Sequence, residues 1–181
     1  MKKQSIWLPL LFLSLAAFGQ TDSTGNAGKK TWRKLAHTNF KIHYPVEWAL
    51  DETGVMGTSF ILFAPLDSEK DKFKENINLN LVNLGASEAV TMEAFTKAAV
   101  DQIENYIEGA KVLSTQKKTR RGLWYYEIEF TGRQGQLSLH WKQQYWFKGP
   151  LVFILTFTAE EAAYSRSLPL AEQMLASFEL L

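Results

Sequence analysis

One stretch of this chain, residues 136–178, constrains the possible folds more than any other. It begins with an alternating segment at 137–147, turns at a Lys-Gly-Pro sequence at 148–150, and continues as an apolar run at 151–158. Alternation places successive side chains on opposite faces of a strand, so the stretch predicts a long β-hairpin. Because the second strand carries apolar residues on both faces, we expect it at the centre of a sheet that is covered on both sides.

The length of the connecting loop sets the register of this hairpin. A three-residue loop at 148–150 pairs Phe147 with Leu151 and Trp141 with Phe157, which stacks aromatic and branched side chains across the ladder. A loop one residue shorter or longer would turn one strand over. We expect the three-residue loop, with Pro150 in the turn because it has no amide hydrogen to donate to a ladder.

The segment after the hairpin predicts a helix. Thr158 and Glu161 match a capping box, in which the threonine hydroxyl accepts a hydrogen bond from the amide of Glu161. Apolar residues then recur at helical spacing and form one stripe, which comprises Leu168, Ala171, Leu175 and Phe178. Pro169 interrupts the pattern, so either two short helices or one kinked helix follows the hairpin.

The middle of the chain supplies the remaining elements of the predicted domain. Three strands at 40–45, 58–64 and 76–84 precede a helix at 91–107, and a possible strand at 111–116 precedes a strand at 123–131. Hairpin-length connections favour an antiparallel sheet. The predicted fold class is α+β, an α/β/α sandwich with a central, mainly antiparallel sheet of about six to seven strands and helices on both faces.

The N-terminus has the pattern of a secretory signal peptide. Lys2 and Lys3 precede a short apolar run that ends near the small residues Ala17 and Gly19. We predict a signal peptide at 1–19, a disordered linker at 20–31 and a single domain at 32–181. An uncleaved anchor and a buried helix are the alternatives for the apolar run. The chain contains no cysteine, which excludes disulfides, a thiol nucleophile and a lipoprotein anchor.

Charge and motifs exclude several classes of function. Cleavage would remove two of the 20 Lys and Arg and leave 18 against 19 Asp and Glu, so a charge of −1 gives no electrostatic basis for binding nucleic acid. The three histidines, His37, His43 and His140, lack the converging ligands that a metal site needs. No nucleophile elbow or phosphate-binding glycine loop is present. We therefore predict no enzymatic activity, no metal and no cofactor.

One basic cluster is the first candidate for partner binding: Lys117, Lys118, Arg120 and Arg121. It lies between two predicted strands, so we expect an exposed turn. Functionally the cluster could dock an acidic partner or a phosphate head group. Structurally it could serve only to keep a corner of the sheet soluble.

The tryptophans give a second candidate. Trp48, Trp124 and Trp141 fall on apolar faces, so we predict that they are core residues. Trp146 instead shares a strand face with the polar His140, Lys142 and Gln144. An amphipathic ring at the edge of a polar face is a reasonable partner contact, which makes Trp146 and His140 candidate binding residues. A helix over this face would make Trp146 an ordinary core residue.

Several short motifs resemble the PsbP-like domain family. Residues 40–48, Phe-Lys-Ile-His-Tyr-Pro-Val-Glu-Trp, look like its opening F-x-I-x-Y-P-x-x-W. Residues 73–79, 91–95 and 155–178 resemble its next strand, its helix start and its C-terminal signature. The family includes the extrinsic photosystem II subunit and a fold relative that acts in nuclear transport. The family pattern usually has a small residue after the glycine of Gly122-Leu123-Trp124, where this chain is bulkier.

The resemblance spans about residues 32–181 and implies the sandwich fold, an accessory or binding role and no shared catalytic residue. Together with the signal peptide, it predicts an exported, non-enzymatic domain, periplasmic or secreted, that acts on an envelope protein or complex. We expect a protein partner, no nucleic acid and no stable membrane anchor after cleavage; oligomeric state stays open. The alternative is a carrier that holds a small ligand or lipid in its aromatic-rich interior.

Overall fold

The structure, a computed structural model, describes residues 31–68, 71, 73–85 and 90–181. The predicted signal peptide at 1–19 lies outside these residues, as does the predicted linker at 20–31 apart from Thr31. The described residues form ten strands and two α-helices. The first five strands are β1 (Trp32–Ala36), β2 (Phe40–Pro45), β3 (Ala49–Asp51), β4 (Thr58–Phe63) and β5 (Asn76–Asn83). Helix α1 (Met92–Tyr106) follows them. The remaining elements are β6 (Glu108–Arg120), β7 (Leu123–Gln134), β8 (Leu137–Lys148), β9 (Leu151–Glu160), α2 (Glu161–Ser177) and β10 (Glu179–Leu180).

Seven strands form one antiparallel sheet in the order β3-β4-β5-β9-β8-β7-β6, and β1, β2 and β10 form a second sheet in the order β1-β2-β10. The prediction of a mainly antiparallel sheet of about six to seven strands is confirmed. The strands β1 and β3 before α1 were missed. β9 occupies the middle of the large sheet, as its two apolar faces predicted. Both of these faces are covered by apolar clusters.

The two faces of the large sheet are covered by different layers. On one face, Phe95, Ala99 and Ile103 of α1 pack in the same apolar cluster as Ile154 of β9. On the other face, α2 shares the cover with the small sheet, whose Phe40 and Ile42 pack in the cluster that contains Phe153 and Met174. The predicted sandwich with helices on both faces is therefore only partly confirmed, because half of one outer layer is a β-sheet.

The register predicted for the β8–β9 hairpin is wrong. The loop has two residues, Gly149 and Pro150, so Lys148 pairs with Leu151 and Trp146 with Phe153. Gly149 has φ 57°, a left-handed conformation that suits the tight turns of twisted hairpins. The shift by one residue turns β8 over relative to β9 and places Trp146 on the face covered by α2.

The predicted capping box is also wrong. Thr158 lies inside β9, where its backbone pairs with Trp141 on one side and Asn76 on the other. Glu160 occupies the N-cap of α2 and makes no side-chain capping bond. The sheet ladder on both sides of Thr158 keeps it extended, so the helix begins at Glu161. Pro169 lies inside this single helix.

Candidate functional site

The β6–β7 hairpin positions the predicted basic cluster. Lys117, Lys118 and Arg120 lie within β6 rather than in an exposed turn, and Arg121 and Gly122 form the two-residue connection to β7. Both turn residues have positive φ, 52° and 79°, as a tight hairpin of this type requires. Alternation along β6 directs Lys117 toward the face that α1 covers and Lys118 and Arg120 toward the face of α2.

On the α2 side, Arg120, Tyr125 and Trp146 form what we call the inner cluster. The Tyr125 and Trp146 rings stack with centroids 4.1 Å apart, and the Arg120 guanidinium lies 5.1 and 5.3 Å from the two centroids. The Arg120 Nη1 donates a 2.6 Å hydrogen bond to the carbonyl of Leu175 in the last turn of α2, where a positive charge is favourable. Trp146 is only 3% exposed. The helix cover makes it a core residue.

Arg121 connects the turn to the small sheet. Its guanidinium forms an ion pair with Glu179 of β10, and Glu179 also pairs with Lys41 of β2 at 3.0 Å. Together, Arg120 and Arg121 attach the tip of the hairpin to the end of α2 and to the strand that follows it. Both arginines therefore contribute to the docking of the hairpin onto the outer layer.

Lys118 belongs to a polar network on the same face. Its Nζ donates to Glu127 Oε1 at 2.6 Å, Gln144 donates to Glu127 Oε2 at 2.9 Å, and the Trp146 indole donates to Gln144 at 3.3 Å. Burial alone would raise the pKa of Glu127, but the hydrogen bonds from Lys118 and Gln144 hold it below its ordinary value. Glu127 is thus an ionised carboxylate with its hydrogen-bonding capacity largely used.

Lys142 is a buried ammonium among three carboxylates. Its Nζ donates to Glu172 of α2 at 2.9 Å and lies 3.9 and 4.0 Å from Glu129 and Glu127. Burial would lower the pKa of Lys142, but the bond to Glu172 and the charge of Glu127 raise it above its ordinary value. Lys142 stays charged and holds the sheet and α2 together.

His140 lies beside this network under α2. Its Nε2 hydrogen-bonds Glu129 Oε1 at 2.9 Å, the Tyr164 hydroxyl donates to the same oxygen at 3.0 Å, and the two rings stack with centroids 3.4 Å apart. Burial lowers the pKa of His140, against the opposing effect of Glu129. Burial also raises the pKa of Tyr164. His140 is thus engaged with the sheet and the helix rather than directed at solvent.

On the α1 side, the hairpin carries a second cation over aromatic rings, which we call the outer cluster: Lys117, Trp124, Tyr126 and Glu93. The Lys117 Nζ lies 5.4 and 5.8 Å from the Trp124 and Tyr126 centroids and donates to Glu93 at 2.8 Å. The Tyr126 hydroxyl donates to the same carboxylate at 3.3 Å. These contacts hold Lys117 and Tyr126 in place beside Trp124 and leave the Trp124 ring exposed.

The prediction that Trp124 is a core residue is wrong. Trp124 is 55% exposed and its neighbour Leu123 is 44% exposed. Tyr126 meets Glu93 in the first turn of α1, and Trp124 lies two residues nearer the tip of the hairpin, past the start of the helix. Trp48 and Trp141 are buried. An exposed tryptophan with ordered neighbours is typical of a recognition surface.

The turn sequence before β7 could have indicated that Trp124 is exposed, although the alternating pattern of β7 indicated a core residue. Arg121-Gly122 suits a two-residue hairpin turn, which places Trp124 opposite the small Thr119 near the tip of the hairpin. A ring at that position can extend past any covering helix.

The six residues predicted as a site fall into two groups: Lys118, Arg120, His140 and Trp146 lie on the α2 face of the sheet, whereas Lys117 and Arg121 do not. Their role in partner binding stays a prediction.

Two further observations limit the chemistry. Within residues 31–68, 71, 73–85 and 90–181, no group of three or more His, Asp or Glu side chains is arranged to hold a metal ion. Neither α1 nor α2 is long and apolar enough to cross a membrane.

Known structures share this fold. No family sequence profile matches the chain, and no curated protein matches it by sequence. The solution structure of cyanobacterial PsbP (CyanoP) from Synechocystis superimposes with a TM-score of 0.61 over 88% of this chain and 98% of that one, at 16% identity. LpqN of Mycobacterium tuberculosis, a protein involved in cell envelope biogenesis, gives a TM-score of 0.63 over 84% and 92% of the two chains, at 11% identity.

The Saccharomyces cerevisiae Ran-binding protein Mog1p gives a TM-score of 0.56 at 10% identity, over 84% of this chain and 96% of that one. At these identities the similarity concerns the fold. It confirms the resemblance to the PsbP-like fold that the short motifs at 40–48 and 155–178 indicated. The chain therefore has the PsbP-like fold that cyanobacterial PsbP, LpqN and Mog1p share.

Proposed function

We propose that this chain is an exported, non-enzymatic accessory domain that binds a protein of the cell envelope through the outer cluster. The observation that carries the proposal is Trp124, a large ring left more than half exposed beside an ordered lysine and tyrosine. Burying an exposed indole against a partner removes a large apolar surface from water at little conformational cost, since its neighbours are already held.

The six residues predicted from the sequence enter this proposal in two roles. Lys117 and Arg121 keep more than a third of their side chains exposed and supply the cations around the contact. Arg120, Trp146 and His140 hold the hairpin against α2 from the other face. Lys118 belongs with this second group, because it pairs with Glu127 on the α2 face. The contacts on the α2 face therefore hold in place the hairpin that carries Trp124 on its other face.

The fold is compatible with both parts of the proposal. It occurs in LpqN, which is involved in cell envelope biogenesis, and in the Ran-binding protein Mog1p. Export rests on the N-terminal sequence, with Lys2 and Lys3 ahead of a short apolar run. Mass spectrometry of the protein from its native host should find a chain that lacks residues 1–19 and occupies the periplasm or the medium. An intact N-terminus in the cytoplasm would contradict export.

The binding site is tested by capture from envelope extract with three forms of the mature domain. We expect the wild type to retain one abundant protein and Trp124→Ala to retain it at least about tenfold less, since tryptophans dominate binding energies. Tyr106→Ala is the matched control, because Tyr106 is a 64% exposed aromatic residue at the other end of α1. Equal capture by all three forms would contradict a site at Trp124.

The same samples test the carrier alternative. Native mass spectrometry of the mature domain should give the mass of the polypeptide alone. A tightly bound lipid or small molecule that accompanies the domain through purification would favour a carrier over a protein-binding domain. Circular dichroism melts should show that all three forms are fully folded at the temperature of the capture experiment, so that any loss of capture by Trp124→Ala is not a loss of folding.

A further inference from the structure

We propose that the outer edge of β6, at residues 114–120, accepts an extended acidic segment of the partner as an additional strand. This inference rests on the proposed function and specifies the partner's chemistry. β6 is the last strand of the large sheet and pairs only with β7 among the described strands. It has 13 residues, whereas β3 at the opposite edge has three. Short edge strands resist pairing with another chain, and long ones invite it.

The part of β6 near the turn has the regular geometry that strand addition requires. Irregularities fall between Glu108 and Lys111 and between Val112 and Ser114. From Ser114 to Arg120, each residue of β6 pairs in unbroken register with one residue of β7. Bulges normally disrupt a free edge and prevent pairing. Here they are confined to the first half of β6, and the second half is left as a uniform template.

The charged side chains that usually guard an edge are directed away from it. Lysines on an edge strand normally oppose a second strand. In this strand, Lys117 reaches inward to Glu93, Lys118 to Glu127, and Arg120 to the carbonyl of Leu175. The side chains of Thr115, Gln116 and Thr119 on the same stretch are exposed. The backbone edge of residues 114–120 is therefore accessible.

The charges of β6 select the class of the added strand. Pairing of β6 with a second copy of itself would bring together the Lys117, Lys118 and Arg120 of two molecules, so self-association at this edge is disfavoured. Although Lys118 and Arg120 are bonded inward, Lys118 keeps 37% of its side chain exposed, and an acidic strand would place carboxylates beside these two cations on the α2 face. On the α1 face, the small Thr119 leaves room for an apolar side chain to reach Trp124. The segment that fits alternates acidic and apolar residues.

The test uses a fluorescein-labelled peptide, Glu-Val-Glu-Phe-Glu-Val-Glu, which matches residues 114–120 in length, and measures its fluorescence anisotropy with the mature domain. We expect saturable binding, and binding at least about tenfold weaker for the lysine counterpart, Lys-Val-Lys-Phe-Lys-Val-Lys. Absence of saturable binding by the acidic peptide would overturn the inference.

Two N-methylated versions of the acidic peptide separate strand addition from charge attraction alone. Amides of adjacent residues point to opposite edges of a strand, so methylation of the four glutamates blocks one edge and methylation of the three apolar residues between them blocks the other. Strand addition uses a single edge. We expect one version to bind as the parent does and the other at least about tenfold more weakly. Equal binding by both versions would overturn the inference.

A pair of protein variants makes the same distinction on β6. The adjacent amides of Thr115 and Gln116 point to opposite edges, so Thr115→Pro and Gln116→Pro remove one inner and one outer hydrogen-bond donor. The variant that lacks only the outer donor should melt near the wild-type temperature and lose peptide binding. If that variant binds the peptide as the wild type does, the edge is not the site.

Failure of this inference and failure of the proposed function give different results. Loss of capture by Trp124→Ala without any peptide binding would overturn strand addition and keep the protein-binding function. The opposite result is that only one methylated peptide binds as the parent does while Trp124→Ala captures the partner as the wild type does. It would support strand addition at the edge of β6 and contradict the site at Trp124.

Discussion

The two faces of the β6–β7 hairpin carry the same chemical arrangement under different cover. In the inner cluster the cation over two aromatic rings is Arg120, and in the outer cluster it is Lys117. Helix α2 and Phe178 bury the inner rings, whereas the outer tryptophan lies past the start of α1. The role of such a cluster therefore depends on whether a helix covers it, and not on the types of side chain that it contains.

This difference changes what each cluster contributes. In the inner cluster, apolar burial and a charge-assisted hydrogen bond in a protected position stabilise the folded state. In the outer cluster, the cation and its carboxylate are hydrated, so their attraction adds little to stability. The exposed indole still holds apolar surface that a partner can bury. We expect substitutions in the inner cluster to change stability and substitutions in the outer cluster to change binding.

The largest effect should come from truncating the two tryptophans. Trp146→Ala should lower the free energy of unfolding by about 3–5 kcal/mol, because it leaves a cavity beside Tyr125 and Phe178. Trp124→Ala should lower it by less than about 1 kcal/mol, as is usual for exposed positions. Urea denaturation of both variants measures this. If the two variants lose equal stability, the two faces are not different in the way proposed.

A smaller effect should follow from removing the inner cation. Arg120→Met keeps the length of the side chain but leaves the carbonyl of Leu175 without its donor, which should cost about 2 kcal/mol. Hydrogen exchange should also accelerate in the last turn of α2 and not in its first turn. Uniform acceleration along α2 would show that Arg120 does not act locally at the end of the helix.

The next effect depends on pH. Because burial lowers the pKa of His140 from 6.5, the native state takes up a proton less readily than the unfolded chain does. Stability should therefore fall as the pH drops through about 6.5, and His140→Gln should reduce this fall. Urea midpoints of both proteins at about pH 7.5 and about pH 5.5 measure it. If the urea midpoint falls equally between the two pH values in the wild type and in His140→Gln, His140 is not the cause.

The smallest effect on stability should come from the outer cation. Lys117→Met removes an exposed ion pair with Glu93, so the urea midpoint should stay at the wild-type value. Capture of the partner should weaken and lose part of its salt dependence, because exposed charges are screened by salt. Reversal of all four cations is a less informative test, since Arg120 belongs to the inner cluster. A lower midpoint for Lys117→Met would place this side chain in the structural framework.

Most strands of the large sheet could be predicted from the sequence, but β3, the separate sheet of β2 and one of the registers could not. Alternation and length located β7, β8 and β9, and the two apolar faces of β9 placed it at the centre. The same property made the register ambiguous, because either face of β9 offers apolar partners to β8. A loop at Gly149-Pro150 and a loop that adds Lys148 both keep the proline outside the ladder. The pairing of Lys148 with Leu151 distinguishes them, and that pairing is seen only in the structure.

The site was predictable only where cover could be inferred. Trp146 has polar neighbours on its own strand, yet it is buried by Tyr125 of β7 and by Phe178, which follows α2. Trp124 has aromatic neighbours on its strand, yet it is exposed because α1 begins short of it. Periodicity assigns a side chain to a face, and the end of a neighbouring helix decides whether that part of the face is covered.

The pairing of β10 with β2 has a consequence for how the chain folds. Glu179 and Leu180 pair with Lys41 and Phe40, so the last strand joins one of the first, and Phe178 just before it fills the core between them. Contacts between residues so distant in sequence form slowly, because the entropy of closing the long intervening segment is lost before the contacts compensate it. During synthesis this face of the sheet stays uncovered until Phe178 and β10 have emerged. We expect the segment made before that point to remain in an unfolded form, suited to chaperone binding.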